Sequence, residues 1–132
     1  MVLDNIAEYP CPCCGFLTFD EPPGSYSICA ICSWEDDISQ LRFPTEGGGA
    51  NKASLVRAQQ EFIRINAPRD TSRIRQVRMP HDVRRDSTWR PVDLNTDCPE
   101  TPVAGKDYGD SYPLDRTALY YWRPTYWRRG SQ

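Results

Sequence analysis

The chain has 132 residues, a net charge of −2, and 12 prolines, 8 glycines and 6 cysteines. That length bounds it to one domain with at most an appended segment, and its mean hydropathy of −0.67 argues against a large apolar core. No stretch approaches the roughly 20 apolar residues of a membrane helix, and nothing around Met1–Ile6 pairs a basic start with an apolar run as a secretory signal does, so a cytoplasmic location is expected.

Charge is unevenly placed. Residues 1–50 carry eight acids against Arg42, residues 51–90 carry ten bases against four acids, and residues 91–132 are nearly balanced. An acidic first third is followed by a basic middle.

In chain order, residues 1–8 are expected to be a short extension leading to Cys11-Pro12-Cys13-Cys14-Gly15. Fourteen residues separate Cys14 from a second pair, Cys29-Ala30-Ile31-Cys32. Two C-x-x-C pairs at this separation are the ligand pattern of a tetrahedral zinc site, each pair bringing two sulfurs together on a tight turn. The expected ligands are Cys11, Cys14, Cys29 and Cys32, and four cysteines fill every position, which marks a structural Zn²⁺. Disulfides are disfavoured in a reducing compartment, and a redox C-x-x-C is not normally duplicated across a hairpin. Cys13 reads as a small buried apolar residue or as a thiol activated by a neighbouring metal. Cys98 reads as a free thiol, and His81 as a solvated loop residue.

Between the pairs, Phe16–Phe19 and Tyr26–Ile28 predict short strands around Asp20–Ser25, a hairpin signal. Residues 9–36 thus predict a zinc ribbon, with Trp34 folding back as cover. Glu35, Asp36 and Asp37 form an anionic cluster, read as a solvated turn or as a binding epitope. Gln40–Pro44 is expected to be extended. Gly47-Gly48-Gly49 lacks the Gly-Lys-Ser/Thr of a P-loop and reads as a turn into a helix capped by Asn51 or Ser54. Leu55, Ala58, Phe62 and Ile65 give that helix, placed at 52–66, one apolar stripe, and Asn66 with Pro68 stops it.

Residues 67–90 carry Arg69, Arg73, Arg75, Arg78, Arg84, Arg85 and Arg90, with a short helix predicted from Thr71 to Val77 behind Asp70. These arginines permit a nucleic-acid reading; the alternative is pairing with the acidic first third. Residues 91–111 read as a loop. Tyr108, Tyr112, Tyr120, Tyr121, Trp122, Tyr126 and Trp127 then concentrate seven aromatics in twenty residues, and Thr117–Trp122 predicts a strand. Such residues form binding hot spots or a lid over a thin core.

Tyr9-Pro10-Cys11-Pro12-Cys13-Cys14-Gly15, Asp20–Tyr26, Ile28-Cys29-x-x-Cys32-x-Trp34-Glu35-Asp36-Asp37, Gly48–Leu55 and Trp89-Arg90-Pro91 together resemble the bacterial cysteine-rich CPCC family over residues 9–92. The resemblance implies a zinc-ribbon-like bacterial cytoplasmic protein, brings no catalytic residues, and is compatible with immunity against toxins. The architecture expected is therefore a small α+β zinc-ribbon domain over 1–92, followed by an aromatic-rich extension over 93–132.

No nucleophile elbow, His-based acid–base pair or open metal site is present in the sequence, so an enzyme is not expected. The expected function is a zinc-stabilised protein-binding module that inhibits a bacterial toxin by occlusion. Glu35, Asp36, Asp37 and Glu46 would meet a basic partner, and Tyr121, Trp122, Tyr126 and Trp127 would supply anchors. A nucleic-acid-binding ribbon using the arginines of 69–90 is the alternative.

Overall fold

A computed structural model of the chain describes residues 9–66 and 84–128. The predicted helix over Thr71–Val77, His81, and Arg69, Arg73, Arg75 and Arg78 lie outside the described residues. The architecture is small α+β: β1 (Tyr9–Pro10), β2 (Leu17–Phe19), α1 (Ile38–Arg42), α2 (Leu55–Asn66) and a 3-10 turn at Arg116–Leu119. None of these helices is long and apolar enough to cross a membrane.

The hairpin is not the one the strand pattern predicts. β1 and β2 pair antiparallel, Tyr9 opposite Phe19 and Pro10 opposite Leu17, so the first C-x-x-C turn is itself the hairpin turn. Tyr26–Ile28 does not pair with 16–19; Ile28 bridges to Glu35 around the second C-x-x-C instead. The two knuckles are built alike. Cys11 N–H donates to the Phe16 carbonyl and Gly15 N–H to the Cys11 carbonyl, just as Cys29 N–H donates to Trp34 and Ser33 N–H to Cys29. Closing each strand pair within six residues leaves the Pro22-Pro23 stretch, which has no amide donors, as a connector.

Each knuckle requires a left-handed residue after its second cysteine: Gly15 at φ +81° and Ser33 at φ +70°. At Gly15 a Cβ would also sit 2.7 Å from the Trp89 ring. Gly15→Ala is therefore expected to cost about 2 kcal/mol or more, whereas Ser33→Gly relieves strain and stabilises by about 1 kcal/mol. Thermal midpoints of the two variants moving in the same direction would refute this account of the knuckles.

Gln40–Pro44, expected to be extended, instead starts inside α1, which spans Ile38–Arg42. The Asp37 side chain accepts from the Ser39 and Gln40 amides, satisfying the donors a helix start leaves over. Asp37-x-x-Gln40 has the spacing of a capping box, a signal the apolar pattern conceals. The predicted 52–66 helix begins at Leu55, with Ser54 accepting from Arg57 N–H and the Pro44 carbonyl accepting from Val56 N–H. Asn51 is not the cap. Leu55, Val56, Gln59 and Phe62 are its buried residues, and Asn66 bonds back to the Phe62 carbonyl at its end.

Thr117–Trp122 is not a strand. Asp115 accepts from the Thr117 amide and hydroxyl, nucleating the 3-10 turn, and Leu119, Tyr120, Tyr121 and Trp122 are all buried. Four consecutive buried side chains do not fit the alternation of a strand with one face in water. They join Phe19, Ile31, Trp34, Leu41, Leu55 and Phe62 in one apolar cluster, so the aromatic segment and the ribbon share a core.

Candidate metal centre

The two knuckles face each other and bring the sulfurs of Cys11, Cys14, Cys29 and Cys32 within 4.8 Å of one another. Cys11 and Cys32 are 3.6 Å apart at sulfur, and Cys14 and Cys29 are 3.8 Å apart. A tetrahedron with metal–sulfur arms of about 2.3 Å has edges of about 3.8 Å. The four cysteines are thus placed to bind a metal ion, and the all-thiolate donor set fits it. Cys11, Cys14 and Cys29 are buried and Cys32 is half-buried. Burial pushes the Cys11 thiol up, whereas hydrogen bonds from Cys11 and Cys14, and one from the Thr18 hydroxyl, pull Cys29 down. Thr18 and the Ile31 amide also donate to the Cys29 sulfur, at 3.2 and 3.3 Å. Such outer donors orient a thiolate for its metal.

A third segment braces the first knuckle. Phe16 bridges to Arg85, Leu17 N–H donates to the Arg84 carbonyl, and Asp86 N–H donates to the Gly15 carbonyl. Trp89 donates its indole N–H to the Pro12 carbonyl, and Arg85 donates to the Cys14 carbonyl while stacking over Phe16 and Trp89. Arg85, read in sequence as a possible phosphate contact, supports the metal turn.

Asp86 ties this segment to the tail by accepting from Thr88, the Trp122 indole and the Arg123 guanidinium. Partial burial opposes ionisation, but the hydrogen bonds from Thr88, Arg123 and Trp122 outweigh it and hold the carboxyl at about 2. A carboxyl lowered on folding contributes stability above its unfolded value and loses it only as pH falls toward its folded value. Asp86→Asn is therefore expected to cost about 2 kcal/mol, equally at pH 7 and pH 5.5. A deficit in thermal midpoint that shrinks at the lower pH would contradict the lowered carboxyl.

The predicted anionic surface is not assembled. Asp36 is 2% exposed and Asp37 is 5% exposed. Asp36 accepts from the Ser25 amide and hydroxyl, and burial pushes its carboxyl up. Asp37 caps α1 and also accepts from Ala50 N–H; a Cβ on Gly49 would lie 2.6 Å from it, which explains a glycine there. Both carboxylates hold the chain together because their neighbours are unmatched amides. Glu35 is half-buried and Glu46 is exposed.

Gln40 completes this region: its amide donates to the carbonyls of Glu46, Asn51 and Ala53 and accepts from Asn51. Asn51 in turn exchanges hydrogen bonds with the Glu35 backbone. The triple-glycine loop is thus wrapped around a buried glutamine.

Of the aromatic anchors, Tyr121 and Trp122 are 4% and 6% exposed and belong to the core. Gln59, 1% exposed, donates to Pro12 and to the Tyr121 hydroxyl and accepts from Val92 N–H. Tyr121 also donates to the Arg90 carbonyl. Tyr126 and Trp127 are half-buried. Gln59 and Gln40 escape sequence reading because a buried amide carries no periodic signal.

A groove of about 630 Å³ runs beside the metal centre between the second knuckle and α2, with Cys32, Trp34, Ala58, Phe62 and Ile65 among its walls. Lys52, Arg57 and Glu61 line it as well.

A search of curated proteins returns no match. The family model described as Cysteine-rich CPCC matches residues 9–83, which contain both knuckles, α1 and α2. With more than half of its length matched and all four thiols gathered in one cluster, the chain belongs to the cysteine-rich CPCC family.

Proposed function

We propose that the chain is a zinc-stabilised module that binds a protein partner through the groove between the second knuckle and α2, without catalysing a reaction on it. Zn²⁺ bound by Cys11, Cys14, Cys29 and Cys32 supplies folding free energy, because four thiolates leave no position for a substrate or water. The observation that carries the reading is the groove itself: apolar walls from Trp34, Ala58, Phe62 and Ile65, with charged Arg57 and Glu61 beside them. An apolar centre with a polar rim is the anatomy of a protein interface.

The finer form of the proposal is neutralisation of a bacterial toxin by occlusion, which the resemblance in sequence supports. Asp20, Glu21, Glu46 and Glu61 are exposed and suit a basic partner, steering its approach. Asp36, Asp37, Tyr121 and Trp122 are not among the contacts. The nucleic-acid alternative is weakened by the commitment of Arg85 to the first knuckle and of Arg90 to Asp97.

Affinity capture from cells of the source, comparing the native chain with the charge-swapped variant Arg57→Glu/Glu61→Arg, tests the reading. A stoichiometric protein held by the first and lost by the second is expected, with its activity suppressed in the complex. Nucleic acid retained without protein would overturn it.

A further inference from the structure

The groove beside the second knuckle carries an excess of unpaired positive charge. Lys52 and Arg57 line it, both are exposed, and neither has an ion-pair partner among the described residues. Of the two acids in its lining, Glu61 is already paired with Arg64 one turn along α2, and Glu35 is half-buried on the second knuckle. Two unpaired cations thus stand against one partly shielded carboxylate. Asp20, Glu21 and Glu46 are not part of the lining. Lys52 and Arg57 also line an adjoining hollow of about 450 Å³ with Thr45, Gly47 and Ser54, so the same cations serve both depressions. The apolar wall is Trp34 on one side and Ala58, Phe62 and Ile65 on the other, the last three sharing a face of α2 at helical spacing. Trp34 is 3% exposed, and its indole N–H has no hydrogen-bond acceptor among the described residues. A buried donor left unpaired is unfavourable until an oxygen reaches it.

We infer that the segment seated in this groove is an acidic peptide stretch of the partner protein, in which one large apolar side chain is flanked by aspartate or glutamate. The inference rests on the groove being the protein-binding site, and it names what the groove recognises. The apolar side chain packs between Trp34 and the Ala58–Phe62–Ile65 stripe, and the carboxylates pair with Lys52 and Arg57. Cations beside apolar walls that exclude water hold an anion more strongly than cations in open solvent. Carboxylate pairing with a guanidinium adds direction to that attraction, and a basic segment is turned away by the same charges. A volume of about 630 Å³ is that of a site for a few side chains, which matches a short segment. The exposed acids Asp20, Glu21 and Glu46 act at longer range on the partner as a whole, so a basic partner that offers one acidic-apolar segment satisfies both sets of charges.

The test is selection of random linear peptides displayed on phage against the full native chain, followed by titration of the enriched peptides. Three proteins are compared: the native chain, the charge variant Lys52→Glu/Arg57→Glu, and Ala58→Trp, which fills the groove. Enriched peptides are expected to carry Asp or Glu beside a large apolar residue and to weaken as salt is raised. Their affinity should fall on the order of tenfold or more in the charge variant and be lost in Ala58→Trp. Should Ala58→Trp not fold, nuclear magnetic resonance shifts at Ala58 and Phe62 of the native chain locate the peptide instead. Peptides that reach the groove but are basic or neutral, or that bind the charge variant as well as the native chain, would overturn the acidic segment and leave the groove reading standing. No enriched peptide, or none that senses the groove, would overturn both. A single-stranded DNA oligonucleotide that displaces the peptides and binds more tightly than they do would assign the two cations to phosphate and overturn the peptide.

Discussion

Cys29→Ser, or removal of the metal by a strong chelator, is expected to abolish the cooperative unfolding transition of the whole chain. The hydrogen-bonded elements around the centre are too small to persist alone: strands of two and three residues and a five-residue helix. A two-stranded hairpin is marginal in water, and a helix this short is below the length at which propagation offsets nucleation. A structural zinc in a small domain contributes on the order of 10 kcal/mol, comparable to the entire net stability of a typical domain. The aromatic tail shares that dependence, because Trp89 and Gln59 both bond the Pro12 carbonyl inside the first knuckle. Near-ultraviolet circular dichroism follows the loss through the buried Trp34 and Trp122, and added Zn²⁺ should restore it after chelation. A metal-free chain that still melts cooperatively would show that the aromatic core, not the thiol cluster, holds the fold. Cys13→Ser should leave the transition in place, because Cys13 lies outside the group of four ligands.

The metal centre was legible because its chemistry is written in spacing. Cys11, Cys14, Cys29 and Cys32 are unusual residues whose pattern has few other uses, and they meet as expected. The α2 stripe was legible for the same reason, since Leu55 and Phe62 recur at a helical period. Asp36 and Asp37 were misread because charge in a sequence says nothing about what faces it. Buried carboxylates are found only by locating the orphan amides of Ser25, Gln40 and Ala50 that they serve, and these are brought together by the fold. The aromatic tail was ambiguous on similar grounds. Tyr121 and Trp122 have the composition of a hot spot, and what holds them in the core is Gln59 on the Tyr121 hydroxyl, 62 residues away in sequence, and Asp86 on the Trp122 indole, 36 residues away, neither with a periodic signature.

The predicted strand at 117–122 failed on a more local conflict. Aromatic residues have strand propensity, but Asp115 captures the Thr117 amide, and the segment pairs with no strand among the described residues. Tertiary contacts then bury Leu119–Trp122 on both sides, a demand that a strand at the surface of a small domain does not meet.

Arg42→Ala is expected to destabilise the protein by about 3 kcal/mol, the cost of removing one partner of a buried ion pair. Arg42 is the lone base in the acidic first third of the sequence, and its side chain is 5% exposed, forked onto Glu100 at 3.0 and 3.1 Å. It also donates to the Ser111 carbonyl and hydroxyl. The rings of Phe43, Tyr108, Tyr112 and Trp127 surround the guanidinium at 4.6–5.0 Å. A cation against an aromatic face gains about 0.5–2 kcal/mol according to its desolvation, and the fork adds direction that an ammonium lacks. One side chain at the end of α1 therefore clamps three points of residues 93–128: Glu100, the Tyr108–Tyr112 turn and Trp127. Arg42→Lys keeps the charge but neither the fork nor the stacking, so it should recover less than half of the loss. Both variants should retain their metal, since Arg42 makes no contact with the thiol cluster, and both should be cut faster by trypsin at exposed Lys106. A native-like melting temperature in Arg42→Ala, with cleavage at Lys106 no faster than in the native chain, would mean that the tail is held by Tyr120–Trp122 alone.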